Sequence, residues 1–468
     1  MNQQNTNETY TKKKKKRFSK QFNQFAQNTT AHGFLHVVMS ENRSIKVFWI
    51  CVITACFAVA AYQGHQLITQ YREKPLATKI WVEKEAVQTF PLVAICNQNP
   101  ILKDKFSDLL NTTAFRQQRS TIKELLNKAL SSHKLKYYLF AHLFQGMSMI
   151  AAQNGSAVFR YGNTFNDTIL SCTYSQVYNC ENLKQWRQFW HYKYGNCFAF
   201  NTGFDQDGNE IEPIKTKPGF DNGLYLTISI NRKQYIPGIA DAIGALLFIG
   251  SQEHSVDMYH GSIFFQPGME HYVAFQKKKR IRIDPFNNNS CIKNYTEYFS
   301  SLSAQIKITK YSTKICRDYC YDNNFINACN CTSDDLRKQN YRLCDNTDFS
   351  CLLNVAIGLK SVDNQCLAQC KFPCEETYYT VLTSSGLFFH NKDDDEADER
   401  LNIYIYSKST EVEVTEDKLL YHWENLLADF GGHLGLWGGF SVLTIMEIIA
   451  FAIAVLWNCT KVVFKKIN

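Results

Sequence analysis

Two long apolar runs, each with lysines and arginines crowded against one end, set the terms on which this chain can fold. The first starts at Val47, is nearly unbroken to Tyr62 and fades through Gln63, Gly64 and His65 to Ile68. A helix over 47–68 is long enough for a bilayer, which takes roughly 20 residues. Lys12 to Arg17, Lys20, Arg43 and Lys46 precede it, so the positive-inside rule puts residues 1–46 in the cytosol. The second run goes from Phe430 to Trp457, and Lys461, Lys465 and Lys466 follow at once, which puts residues 458–468 there too. The polar, basic opening residues do not read as a cleavable signal peptide. The expectation is therefore two spans, at 47–68 and within 426–457, with residues 69–425 outside the cell. A buried core helix is the other reading of such a run, and the length and basic exit of the second argue against it.

The stretch between the spans is rich in cysteine. Of 17 cysteines, 14 lie between Cys96 and Cys374, an even number of the kind that pairs in an oxidising compartment. The close pair Cys329 and Cys331 also suits a metal site, but Asn-x-Ser/Thr acceptors at Asn111, Asn154, Asn166, Asn288 and Asn294, though common by chance in an Asn-rich chain, support an extracellular placement, and no metal centre is expected. A sixth acceptor, Asn330, sits between two cysteines and reads as too enclosed for modification. Lys12 to Arg17 supply six of the net +8 charges, so the charge favours a cytosolic tail near an anionic leaflet and no nucleic-acid partner. No nucleophile–base or metal constellation stands out, so an enzyme with a cofactor is not expected.

The second span carries polar side chains that are costly in lipid. On one continuous helix at about 100° per residue, Asp429, His433, Ser441, Thr444 and Glu447 fall within one arc of about 120°. Such a stripe faces protein or water. Glycines 431, 432, 435, 438 and 439 crowd the same segment and permit close helix approach. One stripe cannot enclose a pore, so several subunits must contribute. Carboxylates at both ends of the stripe suit cation passage; a hydrogen-bonded helix interface is the blander reading.

The segment Leu427-Ala-Asp-Phe-Gly-Gly-His-Leu-Gly-Leu-Trp-Gly-Gly-Phe-Ser-Val-Leu-Thr-Ile-Met-Glu447 resembles the second span of the degenerin/epithelial sodium channel/acid-sensing ion channel family. Phe90-Pro-Leu-Val-Ala-Ile-Cys-Asn97, Gly195-Asn-Cys-Phe-Ala-Phe-Asn201 and Gly223-Leu-Tyr-Leu resemble its signatures outside the membrane, and His32-Gly33 its His-Gly pair before the first span. The resemblance covers about residues 30 to 460. It implies an α+β membrane protein that assembles as a homo- or heterotrimer, each subunit having a β-sheet palm, a β-ball, a helical finger, a knuckle and a thumb at about 291–374. Strands at Leu224 to Ile230 and Leu401 to Tyr406, and a mostly helical stretch over 103–150, agree with it. Fourteen cysteines allow about 135,000 pairings. The family order implies Cys96–Cys197, Cys172–Cys180, Cys291–Cys374, Cys316–Cys370, Cys320–Cys366, Cys329–Cys351 and Cys331–Cys344.

The resemblance also implies site roles. Gly439-Phe440-Ser441 takes the place of the filter, where a broken helix lets backbone carbonyls line a constriction. His32 and Gly33 belong to a re-entrant loop beneath it and, with Ala428, to gating. Asp429 above the filter, and Thr444 and Glu447 below it, are expected to line the pore and concentrate cations. Gly432 matches the position where amiloride acts. Ala450 stands where a second acid is often found and Phe440 exceeds the usual small residue, so strong sodium-over-potassium selectivity is not implied. The short cytosolic ends and Asn- and Lys-rich composition resemble the peptide-gated sodium channels of Hydra. An amidated neuropeptide is the ligand so implied, and the run Asp393-Asp394-Asp395-Glu396 with Asp398 and Glu399 suits a cationic peptide.

Other members of such a family open to acid or force. A trimeric ATP-gated receptor shares the topology but lacks the Gly-x-Ser segment. A non-conducting two-pass receptor or adhesion protein needs no carboxylates along one face of a span. The orientation is open to test: epitope tags at either end are expected to be hidden in intact cells, while glycosidase shifts the mass. Surface staining of either end without permeabilisation contradicts it.

Overall fold

Alternation along Leu224–Ser229 explains the largest layer of the molecule. Leu224, Leu226 and Ile228 are buried while Tyr225, Thr227 and Ser229 are half-buried, as in a strand with one covered face. The computed structural model describes residues 22–467 except 130–131, 154–155, 182–183, 192, 253–255, 259–260, 287–289, 294–310, 332–350, 352–353, 356–364 and 388–398. It divides into two units, Thr78–Asp417 and the pair Met1–Ala77 with Lys418–Asn468.

In the first unit, an eight-stranded sheet has Met269–Ile281 at its centre. One edge of that strand pairs antiparallel with Glu375–Leu387 over 13 residue pairs. Its other edge is shared by two parallel strands in succession, Arg400–Ser407 and Glu411–Leu419. Beyond Arg400–Ser407 lie Leu224–Ser229, Ile169–Tyr174 and Tyr178–Asn179; beyond Glu411–Leu419 lies Leu76–Lys84. A second sheet runs in the order Ser262–Phe265, Ala245–Gly250, Leu92–Asn97, Gly195–Phe200 and Trp186–His191. Leu92–Asn97 and Gly195–Phe200 are buried at every position. Their near-continuous apolar sequence is what a strand covered on both faces needs.

One face, with Val93, Ile95, Phe198 and Phe200, belongs to a core shared with Leu224, Leu226, Val273, Phe275, Leu401 and Ile403 of the eight-stranded sheet. Phe90 sits at the middle, fully buried, with its ring edge-on to Tyr174 and Phe275 at 5.5 Å each. The opposite face gathers Leu92, Ala94, Cys96, Cys197, Ala199 and Phe248. Cys96 and Cys197 are direct cross-strand partners and are disulfide-bonded.

The signature residues serve this junction. Asn201, at φ 60°, donates from Nδ2 to the Phe90 carbonyl (2.6 Å) and accepts from the Ile214 N–H (2.8 Å). Asn97 accepts from the Tyr235 hydroxyl at 2.6 Å and donates to the Ile230 carbonyl. Gly195 has φ 69°, and a methyl group there would stand 2.3 Å from the Pro100 carbonyl oxygen.

Between these strands the chain inserts helices Lys103–Asn111, Arg119–Ala129 and His133–Gln153, in the stretch read as helical from sequence. Leu109, Leu110, Phe115, Ile122, Leu139 and Leu143 form their core. Farther on, Thr313–Cys329 places Cys316 and Cys320 one turn apart, bonded to Cys370 and Cys366. The remaining disulfides between described residues are Cys172–Cys180, Cys291–Cys374 and Cys329–Cys351. Cys331 is also disulfide-bonded, and Cys344, the mate implied for it, lies outside the described residues.

Asn111 and Asn166 are exposed. So is Asn330, whose left-handed conformation (φ 53°) ends helix Thr313–Cys329, so burial does not exclude it as the sequence reading supposed. Asn154, Asn288 and Asn294, the basic run 12–17 and the acidic run 393–398 lie outside the described residues.

In the second unit, the helix Arg43–Glu73 is long and apolar enough to cross a membrane. It outruns the expected 47–68 at both ends, because polar flanks continue a helix that hydrocarbon does not require. Trp423–Gly438 and Val442–Trp457 pass the same test only as a pair, bent by 73°. The second helix of the pair continues to Ile467, past the boundary expected at residue 457.

The entropy model of cross-links assigns roughly 4.7 kcal/mol to a loop of about 100 residues and roughly 2.5 kcal/mol to one of about eight. Removing Cys96–Cys197, with a separation of 101, is thus expected to cut mature surface protein more than removing Cys172–Cys180, with a separation of 8. Surface biotinylation of the two double Cys→Ser variants checks the order; equal yields contradict it.

Candidate functional site

The break in the second apolar segment is written by capping residues. Gly439 has φ 65°, a left-handed conformation that ends Trp423–Gly438. Its N–H bonds to the Gly435 carbonyl at 3.0 Å, and the Phe440 N–H to the Leu434 carbonyl at 3.3 Å. Two residues later Ser441 starts the next helix. Its Oγ accepts from the Thr444 N–H (3.3 Å), and its own N–H donates to Thr444 Oγ1 (3.2 Å). This reciprocal pair is a capping box with threonine in the place of glutamate. Gly-x-Ser is, in local terms, a C-capping glycine and an N-capping serine with one residue between.

Breaking a helix frees backbone groups that need partners. The Gly438 carbonyl accepts from the His32 N–H at 3.1 Å. The Gly439 carbonyl accepts from the Thr444 hydroxyl at 3.4 Å. His32 also fills space: a methyl group at Gly439 would lie 2.4 Å from its ring. Gly33, at φ 83°, turns the chain away, and a methyl group there would meet Ile53 at 2.9 Å. The short helix Phe34–Met39 follows, and then Asn42, whose side chain accepts from the Ser44 N–H and caps the long helix.

The residues just before His32 complete the arrangement. Glu447 Oε2 accepts from the Thr29 hydroxyl and the Thr30 N–H, both at 3.0 Å. The Thr30 and Thr444 hydroxyls are 2.6 Å apart, and Thr444 is fully buried. Phe25 stacks on Phe451 at 4.6 Å. On the far side of the break, Trp437 donates to Gln63 of the long helix at 2.7 Å, and Phe430 packs against Gly64, where a methyl group would come within 3.0 Å. Phe57 meets Phe440 edge-on at 5.7 Å.

This geometry corrects the single-arc reading. With a 73° bend between the two helices, Asp429 and His433 cannot be projected onto one wheel with Ser441, Thr444 and Glu447. The lower three converge on one hydrogen-bonded nest. Asp429 belongs elsewhere and accepts from the Tyr421 hydroxyl at 2.7 Å. Ala428 and Gly432 are exposed on the same helix, and a methyl group at Gly432 would touch nothing. The structure brings His32 into contact with Gly438 and Gly439 of the Gly-x-Ser segment, with Gly33 beside it. Sequence reasoning missed Thr29, Thr30, Gln63 and Trp437. Two adjacent threonines before His-Gly were the available signal for the first pair.

A family model described as "ASC: Amiloride-sensitive sodium channel" matches residues 25–451. Human epithelial sodium channel subunit alpha is 22% identical, over 91% of this chain and 76% of its own length. Acid-sensing ion channel 1C of Danio rerio is 25% identical, over 92% and 83%. The bile acid-sensitive ion channel of Rattus norvegicus is 24% identical, over 91% and 86%.

The contact of His32 with Gly439 makes a paired test. Gly439→Ala sets a methyl group against the ring and strains the backbone, where overpacking alone costs about 1–3 kcal/mol. The variant is expected to reach the surface with its ion current largely lost, and His32→Ala in the same chain to restore part of it. Wild-type current in Gly439→Ala contradicts the packing.

Proposed function

The chain belongs to the amiloride-sensitive sodium channel family, and from that premise we propose that it is a pore-forming subunit of an amiloride-sensitive sodium or cation channel, opened by an extracellular ligand. The observation that carries this reading is the break at Gly439–Ser441, held from beneath by residues 29–33. A helix interrupted at membrane depth is tolerated where it is buried in protein or lines an aqueous path. Three copies, or this chain with homologous subunits, would enclose that path. Asp429 would stand at its outer mouth, Gly432 at the amiloride position and Ala428 where helices close against one another. Glu447 would act below the break as much by anchoring Thr29 and Thr30 as by attracting cations. Both ends of the chain would be cytosolic and the disulfide-bonded unit would face outward from the plasma membrane.

Hydrogen bonds from lysines and other donors set the acidity of the displaced carboxylates. Among the described residues, each carboxylate with a displaced acidity is displaced downward. Hydrogen bonds from Lys279 and Trp81 lower Glu83. Burial raises Glu85, and hydrogen bonds from Lys277 and Lys279 outweigh it. Burial likewise opposes, and Lys136 and Lys193 overcome it, at Asp241. These groups stay ionised as pH falls through the range from 7 to 5, and whatever stability they lend is lost only below their ordinary values. Amidated neuropeptides are the ligand class proposed, by the resemblance to the peptide-gated channels of Hydra.

Expression in oocytes, alone and with related subunits, tests the reading against peptides, acid and ATP. A peptide-evoked current blocked by external amiloride is expected, with little response to acid. Ser441→Cys and Glu447→Ala are expected to alter reversal potential or unitary current. Unchanged permeation in both variants would remove the pore from this segment.

A further inference from the structure

The face of the eight-stranded sheet turned away from the core carries an aromatic ladder. Tyr225, Tyr404 and Tyr272 are register partners on three neighbouring strands, and all three are half-buried. The Tyr225 and Tyr404 ring centroids are 4.5 Å apart; those of Tyr404 and Tyr272 are 5.0 Å apart, with the rings within 9° of parallel. Neighbouring strands are about 4.8 Å apart, so one ring per strand stacks on the next. Phe220, 43% exposed, stands over Tyr404 at 4.8 Å. The ladder stops one strand early. On Glu375–Leu387 the partner of Tyr272 is Ser384, which is exposed and too short to cover a ring. Tyr404 stacks on one face of Tyr272, so the other face is turned toward that strand. Two residues along, Gly386 is the partner of Glu270, and a methyl group there would meet nothing within 4 Å. The Glu270 carboxylate borders this slot. It accepts from the Tyr272 hydroxyl at 2.9 Å and from Asn402 at 3.5 Å, which leaves acceptor positions unused. Among the described residues no lysine or arginine pairs with Glu270 or stands over these rings; the described cations over rings are at Trp81, Tyr161, Tyr194 and Phe372.

We propose that this slot binds a guanidinium group, stacked on Tyr272 as the next member of the ladder and bonded to Glu270. The proposal deepens the reading of a ligand-opened channel and rests on it for the ligand's access from outside the cell. The face of an aromatic ring attracts cations. A guanidinium is planar and weakly hydrated, so it stacks on such a face while its fork of N–H donors meets a carboxylate. An ammonium has the charge but no plane to stack. A neutral amide has the plane but leaves the charge of Glu270 unmatched. The same group is offered by a free alkylguanidine and by an arginine in a peptide.

Cysteine protection on the full chain at the cell surface tests this. Gly386→Cys is made, with Val87→Cys, 50% exposed on the same unit, as the control. The rate of labelling by a membrane-impermeant maleimide is measured with methylguanidinium, with N-acetylarginine amide, and with N-acetylcitrulline amide, which has the shape of arginine without its charge. Several-fold slower labelling at position 386 with the arginine compound is expected, with no change from the citrulline compound and none at position 87. Slowing by methylguanidinium as well assigns the site to free guanidines; slowing by the arginine compound alone assigns it to arginine in a peptide. Glu270→Gln, nearly equal in size, is expected to remove the protection while surface protein is kept. Equal rates with the arginine and citrulline compounds overturn the inference, as does protection that persists in Glu270→Gln. A cysteine at position 386 that never labels is covered by other protein, which overturns it too. The readout needs no current, so the two readings fail separately. Peptide-evoked current without any protection overturns this inference alone, and protection in a chain that no peptide opens overturns the peptide-gated reading alone.

Discussion

Everything in the membrane-type unit follows from one requirement: a helix broken in an apolar segment must find donors for the carbonyls it releases. Water satisfies them at a protein surface; hydrocarbon cannot. Here the donors are the His32 N–H for Gly438 and the Thr444 hydroxyl for Gly439. That need fixes the path of the preceding segment, because His32 must reach the break and Gly33 must turn away from it. Glu447 then extends the same network by one turn, so residues far apart in the chain become parts of one hydrogen-bonded device.

Much of this was legible in the sequence, and the rest was hidden for physical reasons. Apolar runs, their basic flanks and the cysteine order are local or compositional, and they survive being read one residue at a time. The single-arc projection failed because a wheel assumes unbroken periodicity. Gly439 and Ser441 carry the contrary signal, a C-capping glycine and an N-capping serine, inside the very stretch that was projected. Thr29 and Thr30 escaped notice because their partners, Thr444 and Glu447, are more than 400 positions away. Outside that unit, Leu92–Asn97 shows the opposite situation. Its unbroken burial left no alternation to read, so its family signature identified it where its pattern could not.

The unit of Thr78–Asp417 divides its holding forces by place. Its core is aromatic and aliphatic around Phe90, while one end of the Met269–Ile281 strand is held by charge. Lys277 and Lys279 meet Glu85 and Glu83, Lys278 meets Glu413, and Arg280 meets Asp417, at distances of 2.7–3.2 Å. These pairs are partly buried and form a network, the circumstance in which ion pairs contribute more than isolated surface ones.

The central strand has a mechanical consequence. It is matched to Glu375–Leu387 along one side, and to Arg400–Ser407 and Glu411–Leu419 in succession along the other. Sliding it by a single position would turn its whole core set outward, since side chains alternate with a period of two. Shear along its axis is thereby forbidden on both flanks at once. What the sheet retains is torsion and curvature, which cost little per residue because they deform many hydrogen bonds slightly and break none. Fixed register on both sides thus makes Met269–Ile281 and its flanking strands deform together, by twisting and bending, before any pair slips.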